Sequence, residues 1–140
     1  MKTFTFDQFT PTKWDTAEDK SKFANRFVKF VESGFKQSLF TKKFYNRLSN
    51  TFGHIAHYNQ GGFWDTFFTS LPNKVAFIEQ SVTYQCYGDP AWTYSDVERA
   101  LQSWLMETGI ILKLREEADK ERVSAEMATL VRLKSKYDMA

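Results

Sequence analysis

Apolar residues recur along most of this chain at helical spacing. Phe23, Phe27, Phe30 and Val31 stand at i, i+4, i+7 and i+8, which gathers them on one helix face, while Lys20, Lys22, Arg26 and Lys29 fall mostly off it. Asp15 or Thr16 offers the N-cap, Glu18 and Asp19 occupy a first turn where carboxylates favour the helix dipole, and Gly34 stands where a helix-ending glycine belongs. A second helix starts near Thr41 and runs through Phe44, Leu48, Phe52 and Ile55. Asn59-Gln60-Gly61-Gly62 reads as the turn that ends it, and the aromatic run that follows predicts a short helix stopped by Pro72.

Residues 73–87 fit two periods. Val75, Ile78 and Val82 suit a helix, whereas Val82, Tyr84 and Cys86 alternate as a strand would; helix to about residue 83 is favoured, with a short two-stranded β pairing to the N-terminal arm as the alternative. Ser95-Asp96-Val97-Glu98 matches a capping box and predicts a helix over 96–107 with Val97, Leu101, Trp104 and Leu105 as its buried stripe. After Gly109 the pattern predicts a final helix over 110–137. Its middle is almost wholly charged, and Val123, Met127, Leu130, Leu133 or Lys134, and Tyr137 then restore an apolar line out of phase with Ile111, Leu114 and Ala118. Such a helix spans roughly 40 Å, more than the core of a small domain covers. Either it folds back at its charged middle or a second molecule buries its end, which makes Val123, Met127, Leu130 and Tyr137 the expected oligomerisation residues of a homodimer.

At the other end, residues 1–14 form an arm in which Phe4 and Phe6 share a side, with Phe9 beyond and Pro11 closing the segment to helix. The expected fold is therefore mainly α. It is a compact single-domain helical bundle over residues 1–140 with an arm at 1–14 and a long C-terminal helix at 110–137.

Composition changes this picture in one respect. Aromatic residues make up 17% of the 140-residue chain, with 14 Phe, 6 Tyr and 4 Trp, so rings should dominate the core and any surplus should mark a surface for a partner. The net charge of +2 is too small to imply nucleic acid or membrane by itself. Its distribution is uneven, since residues 1–70 carry 10 bases and 6 acids while residues 71–140 carry 9 bases and 11 acids. Cys86 is the only cysteine, which excludes an internal disulfide and a four-cysteine zinc site. No eighteen apolar residues run together and the N-terminus lacks a signal-peptide core, so the expectation is a cytoplasmic protein without membrane attachment.

Candidate chemistry is thin. His54 and His57 lie three apart on nearly one helical face, as metal ligands on helices do, but no further donor stands at a diagnostic spacing, so they are weak metal candidates. A lone Cys86 beside Gln85 and Tyr87 reads as a small buried hydrophobe, and Gly61-Gly62 lacks the residues of a phosphate loop. No cofactor is implied. Residues 33–64 contain no acid, and there Lys36, Lys42, Lys43 and Arg47 with Tyr45, Tyr58, Phe63 and Trp64 form the expected partner-binding set. The reading that follows is a non-enzymatic binding or regulatory protein with a protein partner. Small chains of this kind serve as regulators or inhibitors of larger machinery, including that of phages and mobile elements, which is association alone. The alternative is a nucleic-acid-binding protein using the same helix, and third a metal-dependent enzyme at His54 and His57.

Overall fold

The computed structural model describes residues 2–55, 58–85 and 88–138. Thr16 starts the first helix, α1 (Ala17–Glu32): its hydroxyl accepts from the Asp19 amide at 3.1 Å while the Asp19 carboxylate accepts from the Thr16 amide at 2.9 Å. Two amides that a helix start leaves open are thereby satisfied. The bond from the Thr16 amide, aided by the Thr16 hydroxyl and by the charges of Arg47 and Lys22, outweighs the effect of burial and holds the Asp19 carboxyl below its ordinary range.

At the far end of α1, Gly34 and Phe35 take φ of +77° and +63° and close a Schellman turn, with the Phe35 amide donating to Phe30 O at 2.9 Å and the Gly34 amide to Val31 O at 3.1 Å. Glycine adopts this conformation freely. A phenylalanine there costs about 1–2 kcal/mol, which the burial of its ring, worth about 1.5–3 kcal/mol, offsets. The ring lies edge-on to Phe30 at 5.4 Å and stacked on Phe68 at 5.5 Å.

The remaining helices are α2 (Lys42–Thr51), α3 (Gln60–Phe67), α4 (Leu71–Thr83), α5 (Ser95–Thr108) and α6 (Ile110–Asp138). Single 3₁₀ turns occur at Phe6–Gln8, Gln37–Leu39 and Gly53–Ile55. The fold is mainly α, and no strand occurs among the described residues. The arm is pinned to α1 instead of pairing as a strand: the Phe4 amide donates to Asn25 Oδ1 at 2.7 Å and Asn25 Nδ2 donates back to Phe4 O at 3.0 Å. Phe4 and Phe9 are buried, while Phe6 points to solvent.

Four local expectations are corrected. The second helix does not run on through Phe52 and Ile55: α2 ends at Thr51, Phe52 is its C-cap, and Gly53–Ile55 form a separate 3₁₀ turn. Asn59 through Gly62 is not a terminating turn, because the Asn59 side chain accepts from the Gly62 amide at 2.6 Å and caps α3, whose first turn contains both glycines. A Cβ on Gly62 would stand 3.0 Å from that Asn59 oxygen, so glycine lets the cap close. Pro72 does not stop a helix but sits in the first turn of α4, where its missing amide proton costs nothing. Ser95 is no N-cap: its hydroxyl donates to Gly88 O at 2.8 Å, and Tyr94 occupies the capping position without a side-chain bond.

The core is a continuous cluster of rings. Phe30 contacts Phe44 at 5.1 Å and Phe68 at 5.3 Å, Phe40 meets Trp64 at 5.2 Å, and Phe63 meets Phe67 at 4.7 Å and Phe77 at 5.7 Å. Most of these pairs are tilted or edge-to-face, the geometry that ring quadrupoles favour. Among the described residues two Lys, Arg, Asp or Glu side chains are buried, Lys20 and Glu98. Lys20 is fully buried, not off the apolar face, and its ammonium donates at 2.9 Å to each of Pro90 O, Thr93 O and Asp96 Oδ1.

Gly109, at φ +67°, is the only residue between α5 and α6. Helix α6 is continuous for 29 residues, about 43 Å, and does not fold back at its charged middle. Its first half packs chiefly on α4, with Leu114 buried and an Arg115–Glu79 ion pair alongside. From residue 119 every described side chain is exposed.

Candidate functional site

The expected partner-binding residues divide into two groups. Tyr45 and Phe63 are interior: the Tyr45 hydroxyl donates to Tyr58 O at 2.6 Å, burial pushes its phenol pKa up, and its ring packs on Phe63 at 5.7 Å. They build the core and present nothing to a partner. Tyr58 and Trp64 are half-buried against the same rings, Tyr58 on Phe63 at 5.4 Å and Trp64 on Phe68 at 5.1 Å. Lys36, Lys42 and Lys43 are exposed.

Arg47 is not a free cation. Its guanidinium pairs with the Asp15 carboxylate and donates to the Tyr94 hydroxyl, binding α2 to the residues that precede α1 and α5. Burial tends to lower the guanidinium pKa, and the bond to Asp15 together with Tyr94 and the Asp15 charge overrides it, leaving a permanent positive charge. Burial also raises the Tyr94 phenol well above its ordinary range, so it stays protonated.

Of the four expected cations, Lys43 and Arg47 share a cleft of about 100 Å³ and Lys36 and Lys42 do not line it. The structure supplies others in their place. Lys22 and Arg26 from α1 face Lys43 and Arg47 across that cleft, with Asp19 the single acid in its lining. A neighbouring cleft of about 360 Å³ is lined by Arg26, Lys29, Ser38, Leu39, Thr41 and Phe44. None of Lys22, Arg26, Lys29 and Lys43 forms a salt bridge among the described residues. The signal for α1 was present in the spacing of Lys22, Arg26 and Lys29, which is i, i+4, i+7.

Beyond Arg47 lies a feature that sequence reasoning missed. Trp14 and Trp92 meet edge-to-face at 6.1 Å, yet remain 70% and 60% exposed. They flank a cleft of about 240 Å³ that Thr12, Asp15, Asn50, Thr93 and Tyr94 complete. Both tryptophans stand in turn segments outside any apolar periodicity, which was the available hint that neither belongs to the core.

The second candidate surface is the projecting half of α6. Val123, Met127, Leu130, Val131, Leu133 and Tyr137 are all between 40% and 70% exposed. At 100° per residue, Val123, Met127, Leu130 and Tyr137 form a stripe turned by roughly 140° from the packed face of Ile111, Leu114 and Ala118. The expected oligomerisation residues are thus brought together and left uncovered.

Among the described residues no group of three or more His, Cys, Asp or Glu side chains is arranged to hold a metal, and no helix is long and apolar enough to cross a membrane. His57 and Cys86 lie outside the described residues, as does the side chain of His54. Comparisons with protein-family models, curated proteins and solved structures found no match to this chain.

Proposed function

We propose that this is a non-catalytic binding protein of the regulatory kind that acts by protein–protein association, with α6 as its docking element and a second copy of the chain as the occupant. The observation that carries the reading is the uncovered stripe Val123, Met127, Leu130 and Tyr137 on a helix that leaves the body. Six large apolar side chains in fifteen residues of exposed helix are costly in water, and an interhelical seam removes that cost.

Charge supports a second copy set antiparallel. Residues 116–121 hold Glu116, Glu117, Asp119 and Glu121 against Lys120 alone, whereas residues 132–136 hold Arg132, Lys134 and Lys136 and no acid. An antiparallel pair crossing near Met127 lays each basic end along the acidic segment of the other helix. A parallel pair would set Lys134 against Lys134 within the seam. The seam is short, which places it at the low end of specific interfaces, so the pair is expected to associate weakly, with a dissociation constant on the order of micromolar.

Sedimentation at about 100 µM, well above that constant, is expected to show a dimer. Met127→Glu with Leu130→Glu should weaken it about a hundredfold or more while helicity by circular dichroism is unchanged. Lys134→Glu should also weaken an antiparallel pair, and would leave a parallel one unaffected. A wild-type chain that sediments as a monomer at this concentration sinks the proposal.

A further inference from the structure

A separate surface, independent of α6, combines positive charge with exposed rings. We infer that the groove between α1 and α2, together with the Trp14–Trp92 pair at its end, binds single-stranded nucleic acid. Arg26 and Phe44 line both basic clefts, so Lys29, Arg26, Lys22 and Lys43 follow one another along a continuous surface. Arg47 closes the row, and through its bonds to Asp15 and Tyr94 it touches the wall of the tryptophan cleft. From Asp15 to Lys29 the α1 side of this path measures about 21 Å, room for a short stretch of strand.

The two halves of the path ask for different parts of one ligand. Four cations that form no salt bridge among the described residues, with Asp19 the one acid in their cleft, suit phosphates, and releasing the counterions of a strand supplies the affinity. Two indoles, open on 60–70% of their surface, suit flat bases, which stack on aromatic rings whatever their sequence. A duplex keeps its bases stacked inside and would use only the cations. An acidic peptide would likewise meet the cations and leave the indoles in water. The Asp15 carboxylate beside the rings is neutralised by Arg47, so it does not repel the strand.

The probe is a fluorescein-labelled oligothymidylate of about a dozen nucleotides, followed by anisotropy from about 50 mM salt upward. Binding is expected, with a log–log salt slope of about −2 to −3, as about four neutralised phosphates on a single strand give. Arg26→Ala with Lys43→Ala should flatten that slope by about 1.4. Trp92→Ala should lower affinity about tenfold and leave the slope unchanged, a split that a merely structural role would not produce. These side chains are exposed, so circular dichroism should be the same for all the variants. Three results overturn the inference: no binding at the lowest salt, a Trp92→Ala variant that binds as well as the parent, or equal competition by polyglutamate or by the duplex.

Discussion

Lys20→Ala is expected to destabilise the fold by about 3–5 kcal/mol, a large share of the roughly 5–15 kcal/mol that holds a domain of this size. The lysine has no exposed surface, and its ammonium serves Pro90 O, Thr93 O and Asp96 Oδ1 while sitting 5.3 Å from the Tyr94 ring. Removing it leaves two carbonyls without their donor and the Asp96 carboxylate without its counter-charge, and opens a void the length of the side chain. The damage extends further, because Asp96 also accepts from the Thr10 amide at 2.9 Å and so ties the arm to the start of α5. Lys20→Met, which fills the space without the charge, should recover the packing part of the loss. Adding Asp96→Asn should recover more, since the unpaired carboxylate is gone. Urea unfolding measures all three; a Lys20→Ala midpoint within the error of the parent's would show that the buried charge does not hold the fold.

Phe30→Ala is the second large effect, again about 3–5 kcal/mol. The ring is fully buried and touches Phe44, Phe68, Phe35 and Phe40 at 5.1 to 5.7 Å, so its loss leaves a hole whose walls are themselves stiff rings with little freedom to collapse. It also removes one of the rings packed on Phe35, which then has Phe68 and Phe77 left to offset the strain of its left-handed conformation. Phe30→Leu keeps most of the volume and should cost about half as much. Phe6→Ala serves as the control, since that ring is exposed and its loss should shift stability by less than about 0.5 kcal/mol. A Phe30→Ala midpoint that moves no more than the control's would refute a ring-packed core.

Much of this architecture is legible in the sequence because periodicity and caps agree. Thr16, one of the two candidates, caps α1, α2 starts just after Thr41, which caps it, Gly34 ends α1, and the 3.6-residue spacing in residues 71–83 outweighs the alternation at its end. The misreadings have physical causes. Two glycines argue against helix by propensity alone, and packing of Phe63 and Phe67 into the core overrides that preference in α3. Ser95 and Glu98 have the spacing of a capping box, but a hydroxyl takes whatever acceptor is near, and here Gly88 O is. Lys20 was read by residue type as a surface group, and only the fold reveals the carbonyls that converge on it.

The candidate site was less legible, for a reason of range. Lys43 and Arg47 are four apart on one helix, so their shared face follows from the chain itself. The approach of Lys22 and Arg26, and of Trp92 to Trp14 across 78 positions, depends on how helices pack, which no local pattern encodes. Tyr45 and Phe63 illustrate the converse, since an aromatic side chain near basic residues looks the same in sequence whether it faces water or the interior.

A core built from rings leaves a mark that needs no label to observe. Val28, Leu48, Ile55, Ile78, Leu101 and Leu105 are all sealed within the aromatic cluster. Circulating π electrons shield protons above a ring face, so methyl resonances from these six side chains should be displaced upfield in an ordinary one-dimensional proton spectrum. That displacement vanishes when the rings separate, which gives any variant of this protein an internal reporter of its packing.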